Sequence, residues 1–301
     1  MKNYSQDRKR HLAGYKEEKE ISLLNGTWRG IPYPHILPKE EYKRNILEVI
    51  RDDFWNYQTN EIELHKDFHH LNSSQALCFN LFFPLFNKDN LFLSEFIIRK
   101  IEISTAVKND YEMLEKPFEK LNDFEIAVLD KKKLELNRIL NCQFEYIPDK
   151  EEFTNFDFHV QLINGSEIFF EVKYTENGFG KAAKDKRHLD KIKSTYNPRL
   201  AGKIKDKFIN DDFILENYQV LRNISYAEKD KKTVVFLIPK ENETLKNGGS
   251  MEAFLEQILV PDLREFVKVV YLEDLVSSIL NDKNFSNLSD VYAEFHRKYI
   301  A

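Results

Sequence analysis

Residues 156–175 read FDFHVQLINGSEIFFEVKYT, and the reading of this stretch decides the fold. Phe156, Phe158, Val160 and Leu162 alternate with Asp157, His159, Gln161 and Ile163. Beyond Asn164-Gly165, Ile168, Phe170, Val172 and Tyr174 alternate with Glu167, Phe169, Glu171, Lys173 and Thr175. Period-two alternation predicts two strands, each with one buried face. Asn164 and Gly165 both tolerate positive φ and mark a hairpin turn. For both apolar sets to share a face, paired positions must sum to an even number, so the loop has an odd length. A three-residue loop with Gly165 in the left-handed position satisfies this. That register sets Asp157 opposite, or nearly opposite, Glu171 and Lys173 on the polar face. Burial alone thus gathers two carboxylates and an amine.

Two carboxylates so placed repel unless a cation lies between them. Mg²⁺ takes hard oxygen ligands, commonly one or two carboxylates with waters and phosphate. A lysine beside them can hold an attacking water or help deprotonate it. These are the parts of metal-assisted phosphodiester hydrolysis. A bare D…ExK also occurs in ordinary hairpins, where the same groups make a surface salt bridge. The surrounding words are more specific. Asp157 followed by Glu171-Val172-Lys173, with NSSQALCFNLFFPL at 72–85 and FEVKYTENGF at 170–179, resembles the PD-(D/E)XK nuclease superfamily. Within it, these words resemble a bacterial group of uncharacterised nuclease-like proteins. The resemblance covers about residues 72–240, and Phe156 stands where the superfamily pattern has proline.

The resemblance implies an α/β, restriction-endonuclease-like fold, a mixed central sheet flanked by helices; residues 1–60 lie outside it and read as a helical N-terminal appendage. It implies that Asp157 and Glu171 bind Mg²⁺ (Mn²⁺ as a substitute), with the Val172 carbonyl as a further ligand. Lys173 would position or activate the water. The implied substrate is DNA, with RNA left open, and the implied setting is restriction or phage defence. A homodimer is a further expectation, because cutting two strands often uses two sites. The alternative is a catalytically silent nuclease-fold module that binds DNA or protein; the intact Asp, Glu and Lys argue against lost chemistry.

A chain of 301 residues can bury one large core. We divide it into residues 1–71, the appendage, and 72–301, the nuclease-like domain. Aromatic residues make up 13%, and Gly and Pro number only nine each, which marks a globular chain. The net charge of -5 does not announce a nucleic-acid binder. Cys78 and Cys142 form no disulfide framework or zinc pattern and suit a reducing cytoplasm. No apolar leader opens the sequence and no stretch is long enough to span a membrane, so a cytoplasmic location is expected.

Gly26 to Pro38 is rich in Gly and Pro and reads as an extended arm. Lys39–Tyr57 carries Tyr42, Ile46, Val49, Ile50 and Phe54 at helical spacing. A short helix is expected over 61–71, where His65 and His69 have a metal-like spacing but no third ligand. Asn72-Ser73-Ser74 caps a core helix that Pro84 ends or kinks. Gln75, in its first turn, is either solvent-facing or, as the resemblance implies, aimed at the metal site. Helices are expected over 91–103 and 111–121, and strands over 124–129 and 142–147. Glu145 on the last of these has two readings: a third acid near the metal, or an edge charge that discourages aggregation.

From Lys181 to Lys207, ten basic residues face three acids, a local charge of +7. Placed directly after E-x-K, this segment is suited to a phosphate backbone, with Lys181, Lys184 and Arg187 leading it. The same run also reads as a solvated surface. A helix is expected over 211–227, capped by Asp211 or Asp212. Gln219 and Arg222 share one of its faces and are candidates for phosphate or scissile-strand contact, or for a structural pair. The apolar run 233–238, a helix over 251–260 and a strand over 268–272 make a βαβ unit, so part of the sheet is expected to be parallel. Further helices are expected over 275–280 and 291–299.

Overall fold

The hairpin of residues 156–175 forms in the register that its apolar pattern predicts. Phe158 pairs with Phe170, His159 with Phe169, Val160 with Ile168 and Gln161 with Glu167. Leu162 N–H donates to Ser166 O at 2.8 Å, closing a three-residue loop of Ile163, Asn164 and Gly165. Gly165 takes φ +84°. A Cβ there would meet nothing within 4 Å, so the cost of a side chain is purely that of the left-handed backbone. Gly165→Ala should therefore lower stability by about 1–2 kcal/mol without changing the fold, as read from the urea midpoint at unchanged slope.

The protein is seen in a computed structural model, which describes residues 3–57, 62–87, 91–102, 138–245 and 249–301. The elements expected over 111–121 and 124–129 lie outside the described residues. Helix α1 (Tyr4–Glu18) leads into a two-stranded ribbon, β1 (Thr27–Trp28) and β2 (Ile31–Pro32). Helices α2 (Glu48–Asn56), α3 (Ser74–Phe86) and α4 (Leu91–Arg99) follow. The central sheet runs in the order β3 (Ile139–Tyr146), β4 (Phe156–Leu162), β5 (Glu167–Val172), β6 (Lys232–Ile238) and β7 (Val267–Tyr271). The pairs β3–β4 and β4–β5 are antiparallel; β5–β6 and β6–β7 are parallel. Between β5 and β6 lie α5 (Lys186–Lys191), α6 (Asn197–Leu200), α7 (Asp211–Glu216) and α8 (Tyr218–Ile224). Helix α9 (Met251–Ile258) links β6 to β7, and α10 (Leu272–Leu280) and α11 (Ser289–Tyr299) complete the chain. This is the mixed α/β sheet with flanking helices expected from the sequence.

Both faces of the sheet are buried, where alternation alone predicts one. On one face Phe158, Val160, Leu162, Ile168, Phe170 and Val172 pack against α2, α3, α4, α10 and α11. Leu12 of α1 and Phe54 of α2 belong to this same core. On the other face Phe169, Val234, Phe236 and Ile238 pack under α6–α9. The nominally polar face of the hairpin thus carries its own core, and His159 and Glu171 are buried within it.

Other expectations are corrected. The segment 39–57 is not one helix: a 3-10 turn over Lys39–Asn45 gives way to extended Ile46 and Leu47 before α2. Leu47 N–H there donates to Asn80 Oδ1 at 2.8 Å, a tertiary bond that replaces the helical one. Val49, placed by periodicity on the apolar stripe, is exposed. Residues 62–71 form turns and no helix. The helix expected over 211–227 is split at Asn217, and Asn210, not Asp211 or Asp212, caps its first half. Ser73 caps α3 as expected, and Pro84 lies within its last turn. Among the described residues no helix is long and apolar enough to cross a membrane.

Candidate active site

The cluster sits at the end of the sheet where β3 and β5 finish and β4 begins. Phe144 pairs with Phe158 and Tyr146 with Phe156, which leaves Glu145 and Asp157 facing each other between those pairs. Glu145 has φ +52°, a conformation that costs a non-glycine residue free energy. The strand pair changes sides at this step. Phe144 and Phe158 lie in the first core, whereas Phe156 belongs to the second and Tyr146 packs against it. Phe156 therefore departs from the single apolar face read for Phe156–Leu162. The rotation leaves the Glu145 and Asp157 carboxylates at the sheet end.

Glu171 is buried and fully engaged. Lys173 Nζ lies 2.6 Å from its Oε1. Gln219 Nε2 donates to Oε1 at 2.8 Å and Asn223 Nδ2 to Oε2 at 2.7 Å. Asp157 Oδ2 accepts the Val172 N–H at 2.6 Å. Burial, then the charges of Glu171 and Glu145, push the Asp157 carboxyl well above its ordinary value, against the pull of Lys173 and the Val172 N–H. Burial pulls the Lys173 ammonium down, but Glu171, Glu176 and Asp157 more than offset it and hold its pKa above the ordinary value.

Gln75 is fully buried, which disposes of its solvent-facing reading. Its amide donates to Glu145 Oε1 at 2.8 Å and to Glu63 O, while its oxygen accepts the His65 N–H. His65 Nε2 is 3.6 Å from Glu145 Oε2, and the hydrogen bond to Glu145 raises the imidazole pKa despite burial. Sequence reasoning missed Asn223 and Asn155, which donate to Glu171 and Glu145 respectively. Asn223 had a signal: it lies four residues after Gln219 on the same helical face. Arg222 does not share Gln219's bond to Glu171; its Nε is buried without a hydrogen-bond partner.

The basic segment is partly spent on structure. Lys181 pairs with Glu216, Lys184 with Asp212, Lys191 with Glu152 and Arg199 with Asp149. Lys203 and Lys205 bond main-chain carbonyls. Arg187, with Lys186 and Lys193, stays exposed. The exposed pairs of Lys181 and Lys184 are worth little in water and can be exchanged for other anions.

Among the described residues no group of three or more His, Cys, Asp or Glu side chains is arranged to hold a metal ion. The oxygen chemistry nonetheless fits a hard cation. Two carboxylates compete at one sheet end, and the buried amide oxygens of Asn155 and Asn223 beside them lack a hydrogen-bond partner. Fold and site together define an α/β protein with an acid–lysine cluster at the carboxyl ends of its parallel strands, where open sheets commonly bind ligands. The chain belongs to the family described as restriction endonuclease associating with ARP, which matches residues 2–300. No curated protein and no solved structure matches it.

Proposed function

We propose that the protein is a Mg²⁺-dependent nuclease of the PD-(D/E)XK type that hydrolyses phosphodiester bonds of DNA. The observation that carries this reading is the meeting of Asp157, Glu171 and Lys173 at one sheet end, with the Asp157 carboxyl raised by burial and its neighbour's charge. Asp157, Glu171 and the Val172 carbonyl would hold the metal, and Gln75 would fix Glu145 beside them. A bound divalent ion would polarise the phosphate and lower the pKa of its water. Lys173, whose ammonium form the neighbouring carboxylates favour, Glu171 foremost, would orient the water or phosphate as a donor. Gln219 and Asn223 hold the Glu171 carboxylate in place. Arg187 and the neighbouring cations would follow the phosphate backbone.

The test is cleavage of supercoiled plasmid and labelled single strands with Mg²⁺, Mn²⁺ or EDTA. Wild type should cut in either metal and stop in EDTA, and Lys173→Ala should be slower by roughly 10²–10³-fold, as for loss of one preorganised donor. Equal cutting by both proteins would overturn the assignment. If neither cuts but both bind DNA, the silent binding module takes its place. The family description names ARP as an associate, and adding such a partner would separate that outcome from a nuclease that works only in complex.

A further inference from the structure

We propose that Trp28, Tyr33, His35 and His70 form a subsite for one unpaired nucleobase of the substrate, beside the cleft that Glu145 of the candidate site lines. The inference rests on the nuclease reading above and adds to it the recognition of a base outside a duplex. The four rings line a small pocket of about 200 Å³ together with Lys9, Asp67 and Asn72. That is below the size of a pocket for a drug-sized ligand and suits a single planar heterocycle. Lys9, Asp67, His70 and Asn72 also line a larger cleft of about 940 Å³ whose walls include Glu145, Asn155 and Thr175. The small pocket therefore adjoins a cleft that reaches Glu145, which faces Asp157 across the strand pair.

Its chemistry suits a base. Trp28 meets Tyr33, Tyr33 meets His35 and His35 meets His70 edge to face, with interplanar angles of 66–80°. Each such contact covers a face of one ring only, and the exposed Trp28 keeps open ring surface of the kind that unstacked bases pack on. Trp28 is 41% exposed and belongs to neither core, so ring surface is open to a ligand. The Arg29 guanidinium lies over one face of the Trp28 ring, 4.3 Å from its centre, so the base would stack on the other face with this phosphate-binding cation behind it. Two buried polar atoms on the pocket's residues lack a hydrogen-bond partner: Asn72 Oδ1, and His70 Nε2, whose nearest acid is Asp67 Oδ1 at 3.9 Å. Burial lowers the pKa of both His35 and His70 to about 4, so near neutral pH both rings are uncharged and can offer a donor or an acceptor to a base edge.

The pocket is also built rather than incidental. Trp28, Arg29, Gly30 and Ile31 make a tight turn, with φ +53° at Arg29 and +78° at Gly30. Its base is pinned where Gly26 N–H donates to Ile36 O at 2.8 Å, and a Cβ on Gly26 would lie 2.0 Å from the Leu37 carbonyl oxygen. Asn72 Nδ2 donates to Thr175 Oγ1 at 2.8 Å, which ties the pocket to the segment just past Lys173.

The test separates this subsite from catalysis by measuring binding alone. Full-length protein carrying Lys173→Ala, in EDTA, is titrated against fluorescein-labelled single strands by anisotropy. One probe has normal bases and the other is an abasic strand of equal length. Adding Trp28→Ala should weaken binding of the normal strand about 5- to 150-fold, the range for losing one base–aromatic stack. Trp28→Phe should restore most of it, and the abasic strand should bind both backgrounds alike and weakly. Equal binding by Trp28→Ala, equal binding of the abasic strand, or no strand binding at all overturns the subsite. A Trp28 effect without metal-dependent cutting by wild type would sink the nuclease reading alone; cutting without a Trp28 effect would sink the subsite alone.

Discussion

Asp157→Asn should abolish metal-dependent cleavage and at the same time raise the melting temperature near neutral pH. The two effects share one cause. In the folded chain the Asp157 carboxyl is pushed well above its ordinary value by burial and by the charges of Glu171 and Glu145. The native state therefore binds a proton more readily than the unfolded state does, and stability falls as pH rises from the ordinary carboxylate range through the raised value. Asparagine removes the charge, nearly keeps the shape, and can still accept the Val172 N–H that Asp157 Oδ2 accepts at 2.6 Å. Each kcal/mol so relieved is worth about 2–4 °C in a large domain. The gain should shrink as pH is lowered to where Asp157 is protonated in both states. Cleavage should fall by roughly 10³-fold or more, because a metal acting as Lewis acid supplies several kcal/mol. Mg²⁺ should raise the melting temperature of wild type and not of the variant, since only a native-state ligand stabilises. Calorimetric scans at two pH values, with and without Mg²⁺, check all of this; wild-type cleavage rates in Asp157→Asn would refute the metal assignment.

The site is more legible in the sequence than its surroundings. Its core follows from parity: two alternating apolar sets and a turn containing Gly165 fix the register, and the register brings Asp157 to Glu171 and Lys173. The place of Gln219 near the cluster was readable, because its helix follows the E-x-K strand, but its bond to Glu171 was not. The change of face at Glu145 was not. A left-handed φ at a glutamate has no local sequence signal, yet it turns Phe156 into the second core and leaves the acids at the sheet end. Asn155 and Asn223 were missed for a related reason: an amide that satisfies a buried carboxylate looks like any surface amide until its partner is placed. The broken helix over 39–57 is a tertiary override, since Asn80 from α3 supplies the acceptor that the helix would have provided. The basic run was legible as charge but not as function, because the acids that pair with it, Asp149, Glu152, Asp212 and Glu216, come from outside the run.

Phe158→Ala should be the most destabilising single truncation in the hairpin, costing about 3–5 kcal/mol. The Phe158 ring is fully buried and stacks on Phe82 with centroids 4.3 Å apart. Phe144 at 4.9 Å and Phe86 and Phe170 at 5.9 Å surround it. These neighbours come from α3, β3 and β5, so no single element can shift to close the hole. The cavity term then adds to the lost transfer free energy. Thermal scans should show a fall of roughly 6–20 °C, and urea unfolding a lower midpoint at similar slope. Phe158→Leu, which keeps much of the volume, should cost less than half as much and leave metal-dependent cleavage intact. Asp157 is held by strand pairing and by the Val172 N–H rather than by the ring behind it. A loss of activity in Phe158→Leu as large as in Asp157→Asn would instead mean that the core sets the carboxylate's position. Neighbouring residues of one strand thus make opposite demands. The side chain at 158 is fitted for burial and its removal weakens the fold, while the one at 157 is a carboxyl whose charge the fold holds at a cost, and its neutralisation should firm the fold while ending the chemistry.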